Sequence, residues 1–450
     1  RMNFKEAYQQ KLISAEEAAG LVKSGMWIDY GSILSFPSLI DEDLAKRAVD
    51  LENVKVRSCL SLRDPEILKA DKKGEHFIYN EWHVSEFTRK HHDNGCCSYI
   101  PYNLNEGPGL FRNNYSSRPD IAFMEVTPMS NQGFFNFGSV EKNKSLCDVA
   151  GTVVVEVNRS MPWLLGGFDE CIHISEVDYV VENNKYGIYE SQPSEPSEVD
   201  IMIARRIADL IEDESTIQLG IGGLPDEVGR LLIERGAKDL GVHTEMFTES
   251  MMEMFEAGVI TNRKKGLNIG KAVCTFVVGS RRLYDFVDHN NVISAFSTDY
   301  TNSPSVIAQN RKQVSVNSAL AVDLRGQVSS ESSGHRHISG TGGQLDFVRG
   351  AYLSPGGKSI ICLPSTYKDK DGDIISRIVI NHPPGTVITV PRTDVSYIAT
   401  EFGVANLKGK TVWERAFALI RLAHPDFRER LEAQAREFNI IPKGVQIIGQ

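Results

Sequence analysis

The run Asp239-Leu-Gly-Val-His-Thr-Glu-Met-Phe-Thr-Glu-Ser250 decides the fold class of this chain. Its apolar beginning, residues 240–242, predicts the end of a short strand, and residues 251–257 alternate apolar and acidic side chains at helical spacing. This order places Glu245 at a strand-to-helix corner, where α/β proteins carry reacting side chains. Taken alone, Glu245 also fits a charge that the helix dipole favours, and Glu249 competes with it because spacing does not rank the two.

Two glycine-rich segments lie on either side of this carboxylate in the chain. They are Leu219-Gly-Ile-Gly-Gly-Leu-Pro-Asp226 and Ser339-Gly-Thr-Gly-Gly-Gln-Leu-Asp-Phe347. Glycine lets a backbone approach a ligand closely and point its N–H groups at it, although a glycine run such as 220–223 also fits a simple tight turn. A carboxylate with two amide-rich loops suits acyl chemistry, which needs a nucleophile, an oxyanion hole and a binding surface for a polyanionic ligand.

Strand and helix signals alternate along the whole chain and predict largely parallel sheets covered by helices. The predicted strands include 26–30, 54–61, 121–126, 152–158, 215–219, 272–279, 292–296 and 314–322. Proline, serine and acidic residues mark 186–198 as a linker. The order helix, strand, glycine, helix opens the chain and recurs after that linker. We therefore predict two similar α/β domains, residues 1–190 and 200–450.

Composition excludes several classes of function. The 450 residues include 41% hydrophobic and 24% charged side chains, which is typical of a globular protein of two or three domains. A net charge of −10 argues against a nucleic-acid partner. We expect no membrane partner because no apolar run approaches ~20 residues. Seven cysteines, an odd number, and an N-terminus without a signal-peptide pattern predict a cytoplasmic protein.

Four other segments carry side chains that could take part in binding or catalysis. His91-His-Asp-Asn-Gly-Cys-Cys97 and the pair at 335 and 337 contain metal-ligand types, but their spacing favours a polar turn around Asn94-Gly95, and we expect no metal site. The aromatic segment 131–138 suits either a core corner or a wall of the acyl pocket. The charged segment 367–372, with Asp-Gly at its tip, predicts a hairpin turn.

The motifs at 220–226, 241–246 and 340–349, in this order, resemble those of family I coenzyme A transferases. The similarity covers nearly the whole chain, including 131–138, 156–167 and 401–409. It is strongest to the butyryl-CoA:acetate and 4-hydroxybutyrate CoA-transferase branch of the acetyl-CoA hydrolase/transferase family. The resemblance implies an α/β fold of two open-sheet domains in tandem, with the active site at their interface. One departure is Thr248-Glu249-Ser250, where the family pattern has an aspartate and a small residue.

The resemblance also implies the roles of individual residues. Glu245 would be the nucleophile, and the Asn302 amide with the backbone N–H groups of Ile221 and Gly343 would form the oxyanion hole. The remaining contacts implied for coenzyme A come from both glycine-rich loops, one strand end and the hairpin: Gly220, Ile221, Gly222, Gly223, Leu224, Leu320, Gly343 and Lys370, with Lys408 as a weaker candidate.

The implied reaction moves coenzyme A from a short-chain acyl-CoA, butyryl-CoA first, to acetate through a glutamyl-CoA thioester with ping-pong kinetics. Coenzyme A would be a substrate, with no permanently bound cofactor, and we expect a homo-oligomer, a dimer or a tetramer. The acyl preference stays open between butyryl, propionyl and 4-hydroxybutyryl groups, and so does the physiological direction. Tyr30, Ser32, Gln132 and Phe134 are the residues expected to decide the acyl preference across the cleft.

Other functions remain alternatives at this point. A 4-hydroxybutyrate CoA-transferase and an acyl-CoA hydrolase share the same motifs, and the dependence of thioester loss on a carboxylic acid separates transfer from hydrolysis. A non-catalytic acyl-CoA sensor would use the glycine loops alone, with Glu245 directed away from them. A dinucleotide-binding Rossmann domain is disfavoured because residues 220–223 lack the third glycine at its required spacing.

Overall fold

The computed structural model describes residues 3–446, whose first half forms a seven-stranded sheet. Every neighbouring pair of strands in this sheet is parallel. The strands are, in spatial order, Tyr179–Glu182, Thr152–Val157, Ile121–Val126, Trp27–Tyr30, Val54–Ser58, Phe77–Glu81 and Cys97–Tyr99. The strand Ile121–Val126 is buried at every position, as expected for a parallel sheet covered on both faces.

The second half forms a six-stranded sheet that is parallel except at one edge. Its strands are, in spatial order, Gly241–Val242, Thr216–Gln218, Gln313–Ser318, Lys358–Cys362, Tyr397–Thr400 and Gly403–Asn406, the last two being antiparallel. In each sheet, the strand that comes first in the chain lies beside the strand that comes second. On its other side lie strands from later in the chain, and their distance from the first strand increases with their position in the chain. This shared order confirms the predicted tandem arrangement of two open-sheet α/β units.

Helices cover the two sheets. In the first half they are Phe4–Lys11, Ala15–Gly20, Ser38–Ala45, Glu66–Ala70, Arg89–Asp93, Gly107–Arg112 and Asn143–Val149. In the second half they are Glu198–Leu210, Gly223–Arg235, Glu249–Glu256, Arg281–Val287, Thr298–Thr301, Pro304–Ile307, Gln344–Leu353, Val412–Leu422 and Pro425–Glu437. None of the helices between residues 3 and 446 is long and apolar enough to cross a membrane.

Small sheets complete the structure, and one of them joins the halves. Gly166–Phe168 from the first half pairs with Ile293–Phe296, which also pairs with Ala272–Cys274. The other short strands are Phe134–Asn136 with Cys171–His173, Met246–Phe247 with Phe276–Val277, Ala321–Asp323 with Val328–Ser329 and Ile378–Val379, Ser332–Ser333 with Arg336–His337, and Thr366–Lys368 with Ile374–Ser376. The domain limits 1–190 and 200–450 therefore stay a prediction, since one strand of the first half belongs to a sheet of the second.

Most predicted elements are found, with corrections at their ends. Residues 183–197 contain no helix or strand, which agrees with the predicted linker over 186–198 except at its last residue, where the next helix begins. That helix begins with a capping box between Ser197 and Asp200. The hairpin around Gly372 is confirmed. The single strands predicted over 272–279 and 314–322 are wrong, because each is interrupted and its second part pairs with a different neighbour.

Two interpretations of local sequence are settled by side-chain contacts. Residues 89–93 form a short helix followed by a turn at Gly95, and the His91 imidazole lies 2.7 Å from the Asp64 carboxylate, so the polar-turn interpretation is correct. Among residues 3–446, no three His, Cys, Asp or Glu side chains are grouped as metal ligands. In the segment 131–138, Phe135 and Phe137 are fully buried in the core of the first half, which is the core-corner interpretation.

Candidate active site

Glu245 lies at a bend between the short strands Gly241–Val242 and Met246–Phe247. The following helix begins only at Glu249, so the expected position at a strand-to-helix corner is wrong by four residues. The backbone carbonyl of Glu245 accepts hydrogen bonds from the N–H groups of Thr275 and Phe276. These bonds fix the backbone of Glu245 and direct its side chain toward the second glycine-rich loop.

The Glu245 carboxylate meets two of the predicted oxyanion donors. Nδ2 of Asn302 donates to Oε2 of Glu245 over 3.0 Å. The backbone N–H of Gly343 lies close to this carboxylate and lowers its pKa. Gly343 is the N-cap of the helix Gln344–Leu353, so the carboxylate also faces the positive end of a helix dipole. A Cβ atom at position 343 would overlap both the Glu245 carboxylate and the Asn302 amide, which explains the glycine.

Burial dominates the ionisation of Glu245. It raises the pKa of this carboxyl to about 7, and the nearby Asp346 and Glu141 carboxyls also raise it, whereas the hydrogen bonds from Asn302 and Gly343 lower it. Glu245 therefore titrates near neutral pH, well above the range of an exposed glutamate. The competing carboxylate, Glu249, instead accepts the backbone N–H of Ser280 over 2.6 Å.

A cavity of about 480 Å³ opens in front of Glu245, between the two halves of the chain. The first half supplies Ile33, Leu60, Leu62, His83 and Glu141, the linker supplies Tyr189 and Ser191, and the second half supplies Ile221, Phe276 and Val278. The first glycine-rich loop thus reaches the same cavity through Ile221. Its Gly222 adopts a φ of +117°, and the loop leads into the N-terminus of the helix Gly223–Arg235.

Several residues that were predicted to belong to the site lie outside the cavity. Leu320 is partly buried and Lys370 is exposed next to the tip of its hairpin, and neither lines the cavity. Tyr30, Ser32, Gln132 and Phe134 do not line it either. Tyr30, for example, is buried against Asp41, and the Ser32 hydroxyl donates to Glu141. The expectation that these four side chains shape the cleft is therefore wrong, because their positions in the strands and turns direct them elsewhere.

The second glycine-rich loop belongs to the second half but is held by the first. The backbone N–H groups of Val84 and Leu104 donate to the carbonyls of Ser339 and Gly342 over 3.1 and 3.2 Å. The N–H of Thr341 donates to the Tyr99 hydroxyl over 3.0 Å. The Gly343 N–H, which is predicted to be an oxyanion donor, is consequently positioned by contacts across the interface between the halves.

Two further groups at the cavity were not singled out by the sequence. Burial lowers the pKa of His83 to about 4, so the imidazole is neutral where it packs against Gly340. Glu141 is paired with the buried Lys142, whose Nζ lies 2.8 Å from Oε2 of Glu141. Neither residue belongs to a glycine-rich motif, and only the tertiary structure brings them to Glu245.

Comparison with known proteins gives the same family for both halves. The model of the acetyl-CoA hydrolase/transferase N-terminal domain matches residues 1–188, and that of the C-terminal domain matches residues 279–435. The chain is 43% identical to a butyryl-CoA:acetate CoA-transferase from Anaerostipes caccae, over 98% of this chain and 99% of that protein.

Solved structures agree with the sequence relatives. RipA from Yersinia pestis superimposes with a TM-score of 0.88 at 34% identity, over 98% of this chain and 100% of RipA. A 4-hydroxybutyrate CoA-transferase from Porphyromonas gingivalis gives a TM-score of 0.79 at 35% identity, over 97% of this chain and 100% of that protein.

Proposed function

We propose that this chain, which belongs to the acetyl-CoA hydrolase/transferase family and is a CoA-transferase, moves coenzyme A from a short-chain acyl-CoA, foremost butyryl-CoA, to acetate. The observation that carries the proposal is the Glu245 carboxylate, which lines an interdomain cavity, accepts a hydrogen bond from Asn302 and lies against Gly343. A sensor that only binds acyl-CoA would not need a carboxylate in this position.

In the first half-reaction, an oxygen of Glu245 attacks the thioester carbonyl of the acyl-CoA. The C–S bond breaks, which leaves a mixed anhydride on Glu245 and a coenzyme A thiolate. The thiolate then attacks the glutamyl carbonyl, and the donor acid leaves as its carboxylate. The product on the enzyme is a glutamyl-CoA thioester, so the free energy of the thioester is kept for the second substrate.

The second half-reaction reverses these steps with acetate. The acetate oxygen attacks the glutamyl thioester, releases the thiolate and forms an acetyl-glutamyl anhydride. Attack of the thiolate on the acetyl carbonyl gives acetyl-CoA and regenerates the Glu245 carboxylate. No net proton transfer is required, and the neutral His83 in the cavity is suited to this because it brings no acid that would protonate the thiolate at neutral pH.

Each tetrahedral intermediate carries a negative oxygen that needs hydrogen-bond donors. We assign this role to the Asn302 amide, the Gly343 N–H and the N–H of Ile221, whose loop faces the same cavity. Removal of one such donor typically costs about 2.7–4 kcal/mol in the transition state. The donors also stabilise the ionised form of Glu245, which is the form that attacks.

The acyl group is proposed to lie against the apolar part of the cavity. Ile33, Leu60, Leu62 and Phe276 supply hydrocarbon surface there, and a propyl chain gains about 0.8 kcal/mol for each methylene that it buries. We propose that coenzyme A itself, as a substrate, extends along residues 220–224 and 343 and past Leu320 toward Lys370. A homo-oligomer remains part of the proposal.

Mass spectrometry of the enzyme after incubation with butyryl-CoA alone tests this function. We expect a covalent adduct of coenzyme A less one water on Glu245, which disappears when acetate is added. The Glu245→Ala variant should form no adduct and catalyse no exchange, while the Glu249→Gln control should form it. Butyryl-CoA loss that does not require acetate would instead favour a hydrolase.

A further inference from the structure

His243 lies two residues before Glu245 in the chain, and its side chain is fully buried. It is not among the residues that line the cavity. Its backbone is fixed on both sides. The His243 N–H donates to the Ile217 carbonyl over 3.3 Å, and the His243 carbonyl accepts from Nε2 of Gln313 over 3.1 Å. The proposed transfer reaction gives the imidazole of His243 no role.

This imidazole joins the segment of Glu245 to the turn that carries Asn302. Nε2 of His243 lies 2.7 Å from the backbone carbonyl oxygen of Thr301, which is the last residue of the helix Thr298–Thr301. A carbonyl can only accept, so Nε2 carries the proton. Carbonyls in the last turn of a helix have no partner within the helix, and the imidazole supplies one here. The hydrogen bond therefore ends one residue before the amide that donates to Glu245.

The surroundings keep the imidazole neutral and in one tautomer. Burial lowers the pKa of His243 to about 3, the nearby Lys265 also lowers it, and the hydrogen bond to the Thr301 carbonyl acts in the opposite direction. Nδ1 of His243 is buried and has no hydrogen-bond partner among residues 3–446. A buried polar atom without a partner calls for an explanation, and here it follows from the tautomer that Thr301 selects. The imidazole is therefore a donor of fixed direction near neutral pH.

The same ring also lies next to the helix that follows Gly343. The centroids of the His243 and Phe347 rings are 6.2 Å apart, with an angle of 54° between the ring planes. This separation is within the usual range of aromatic contacts. The N–H of Phe347 donates to the Gly343 carbonyl over 2.9 Å, at the start of that helix. His243 is therefore part of, or next to, each of the three segments that carry Glu245, Asn302 and Gly343.

We propose that His243 is a positioning residue: its Nε2–H holds the Thr301 carbonyl and so places the Asn302 amide against Glu245 and against the oxyanion that forms during transfer. The imidazole touches no substrate and exchanges no proton. A catalytic group displaced by about 1 Å can slow a reaction ~100-fold, so one hydrogen bond outside the cavity is enough to affect turnover. The inference rests on the proposed transfer at Glu245, with Asn302 as an oxyanion donor, and extends it to a residue that supports this donor.

Two amide side chains of different length test this role. The amide nitrogen of glutamine is the same number of bonds from Cα as Nε2 of histidine, so His243→Gln retains a donor for the Thr301 carbonyl. The amide nitrogen of asparagine corresponds to Nδ1 instead, so His243→Asn removes that donor while it keeps a polar, uncharged side chain. The readout is exchange between butyryl-CoA and acetate on the plateau of the pH profile, with kcat and both KM values determined.

The two variants should differ in kcat and not in KM. We expect His243→Asn to lower kcat by about 100-fold and to leave both KM values within about threefold, because the Asn302 amide matters most in the transition state. His243→Gln should keep kcat within about tenfold of the wild type, because its amide reaches the Thr301 carbonyl.

A double-mutant cycle with Asn302→Ala separates positioning from a general effect on the fold. If His243 acts through Asn302, then His243→Asn should lower kcat by less than about threefold in a chain that already lacks the Asn302 amide. Equal factors in the two backgrounds would show that the residues act independently, and the inference would be overturned.

His382→Asn is the matched control, because His382 makes the same kind of hydrogen bond elsewhere in the second half. Its Nε2 lies 2.8 Å from the Gln327 carbonyl, and its buried Nδ1 also has no partner within the described part of the chain. It is not among the residues that line the cavity. The substitution should lower the free energy of unfolding, since the Gln327 carbonyl loses its donor, but leave kcat within about twofold.

Circular dichroism and the melting temperature show which variants fold. Wild-type kcat in folded His243→Asn, or equal losses in His243→Asn and His243→Gln, would overturn the inference. If His243→Asn does not fold, His243→Gln decides alone: a folded variant with kcat within about tenfold supports the inference, and a larger loss refutes it. A wild-type enzyme without exchange would contradict the proposed function itself, whereas wild-type exchange with unimpaired His243→Asn would contradict only the role of His243.

Discussion

Asn302→Ala removes the side-chain donor nearest to the nucleophile. In the structure, Nδ2 of Asn302 lies 3.0 Å from Oε2 of Glu245 and has this carboxylate as its acceptor. The same amide is assigned to the negative oxygen of the intermediates. Loss of one oxyanion-hole donor reduces kcat by about 100- to 1,000-fold, or ~2.7–4 kcal/mol.

The substitution should also change the pH dependence. Glu245 must be ionised to attack, and its pKa is already raised to about 7 by burial. A hydrogen bond to a charged group contributes about 1.5–3 kcal/mol, and ~1.4 kcal/mol corresponds to a tenfold change, so its loss should move the acidic limb of the profile to about pH 8–9. The pKa of Glu245 rises in this variant, because the hydrogen bond that is lost favours the ionised form of the carboxyl.

The assay follows acetyl-CoA formation from butyryl-CoA and acetate between about pH 5 and pH 9, since kcat/KM reports groups of the free enzyme. Wild-type kcat/KM should rise with pH and level off above the pKa near 7. Asn302→Asp is the isosteric comparison, and it should be at least as impaired because it places a second carboxylate beside Glu245. A loss below tenfold in Asn302→Ala, with an unshifted profile, would refute the assignment.

Other perturbations separate the roles of neighbouring residues. Gly343→Ala should abolish adduct formation detected by mass spectrometry, since its Cβ would overlap the Glu245 carboxylate; normal turnover would contradict this close approach of the loop to the carboxylate. Glu249→Ala should retain the adduct but lower the free energy of unfolding by about 1 kcal/mol in chemical denaturation, because the Ser280 N–H loses its acceptor. Lys370→Ala should raise the KM for acyl-CoA several-fold, more at low than at high salt, without a change in kcat; an unchanged KM at both would exclude a coenzyme A contact.

Much of the fold was predictable because its signals are local. The capping box of Ser14 and Glu17 and the alternation of elements depend on residues a few positions apart. The interruptions at 275 and 319–320 were not predictable, because they arise where one apolar run pairs with two different neighbours. Strand pairing is tertiary information that no window of sequence contains.

The residues of the candidate site also differ in whether the sequence alone identifies them. Glu245 and Gly343 lie in the motifs and Asn302 was implied by the family resemblance, and the structure brings all three together. His83 and Glu141 belong to no glycine-rich motif, and only the tertiary structure brings them to the cavity in front of Glu245. The cavity lining was assigned to the wrong side chains for a related reason, since the direction of a side chain depends on a register that the sequence does not fix.

The strand Gly166–Phe168 affects how the protein unfolds on heating. Because it is hydrogen-bonded to Ile293–Phe296, neither half can open without breaking a ladder that the other half completes. We therefore expect calorimetry to record one melting transition instead of two, with transfer activity lost in the same temperature range. Two separate transitions would mean that the halves melt independently and that this shared strand couples them only weakly.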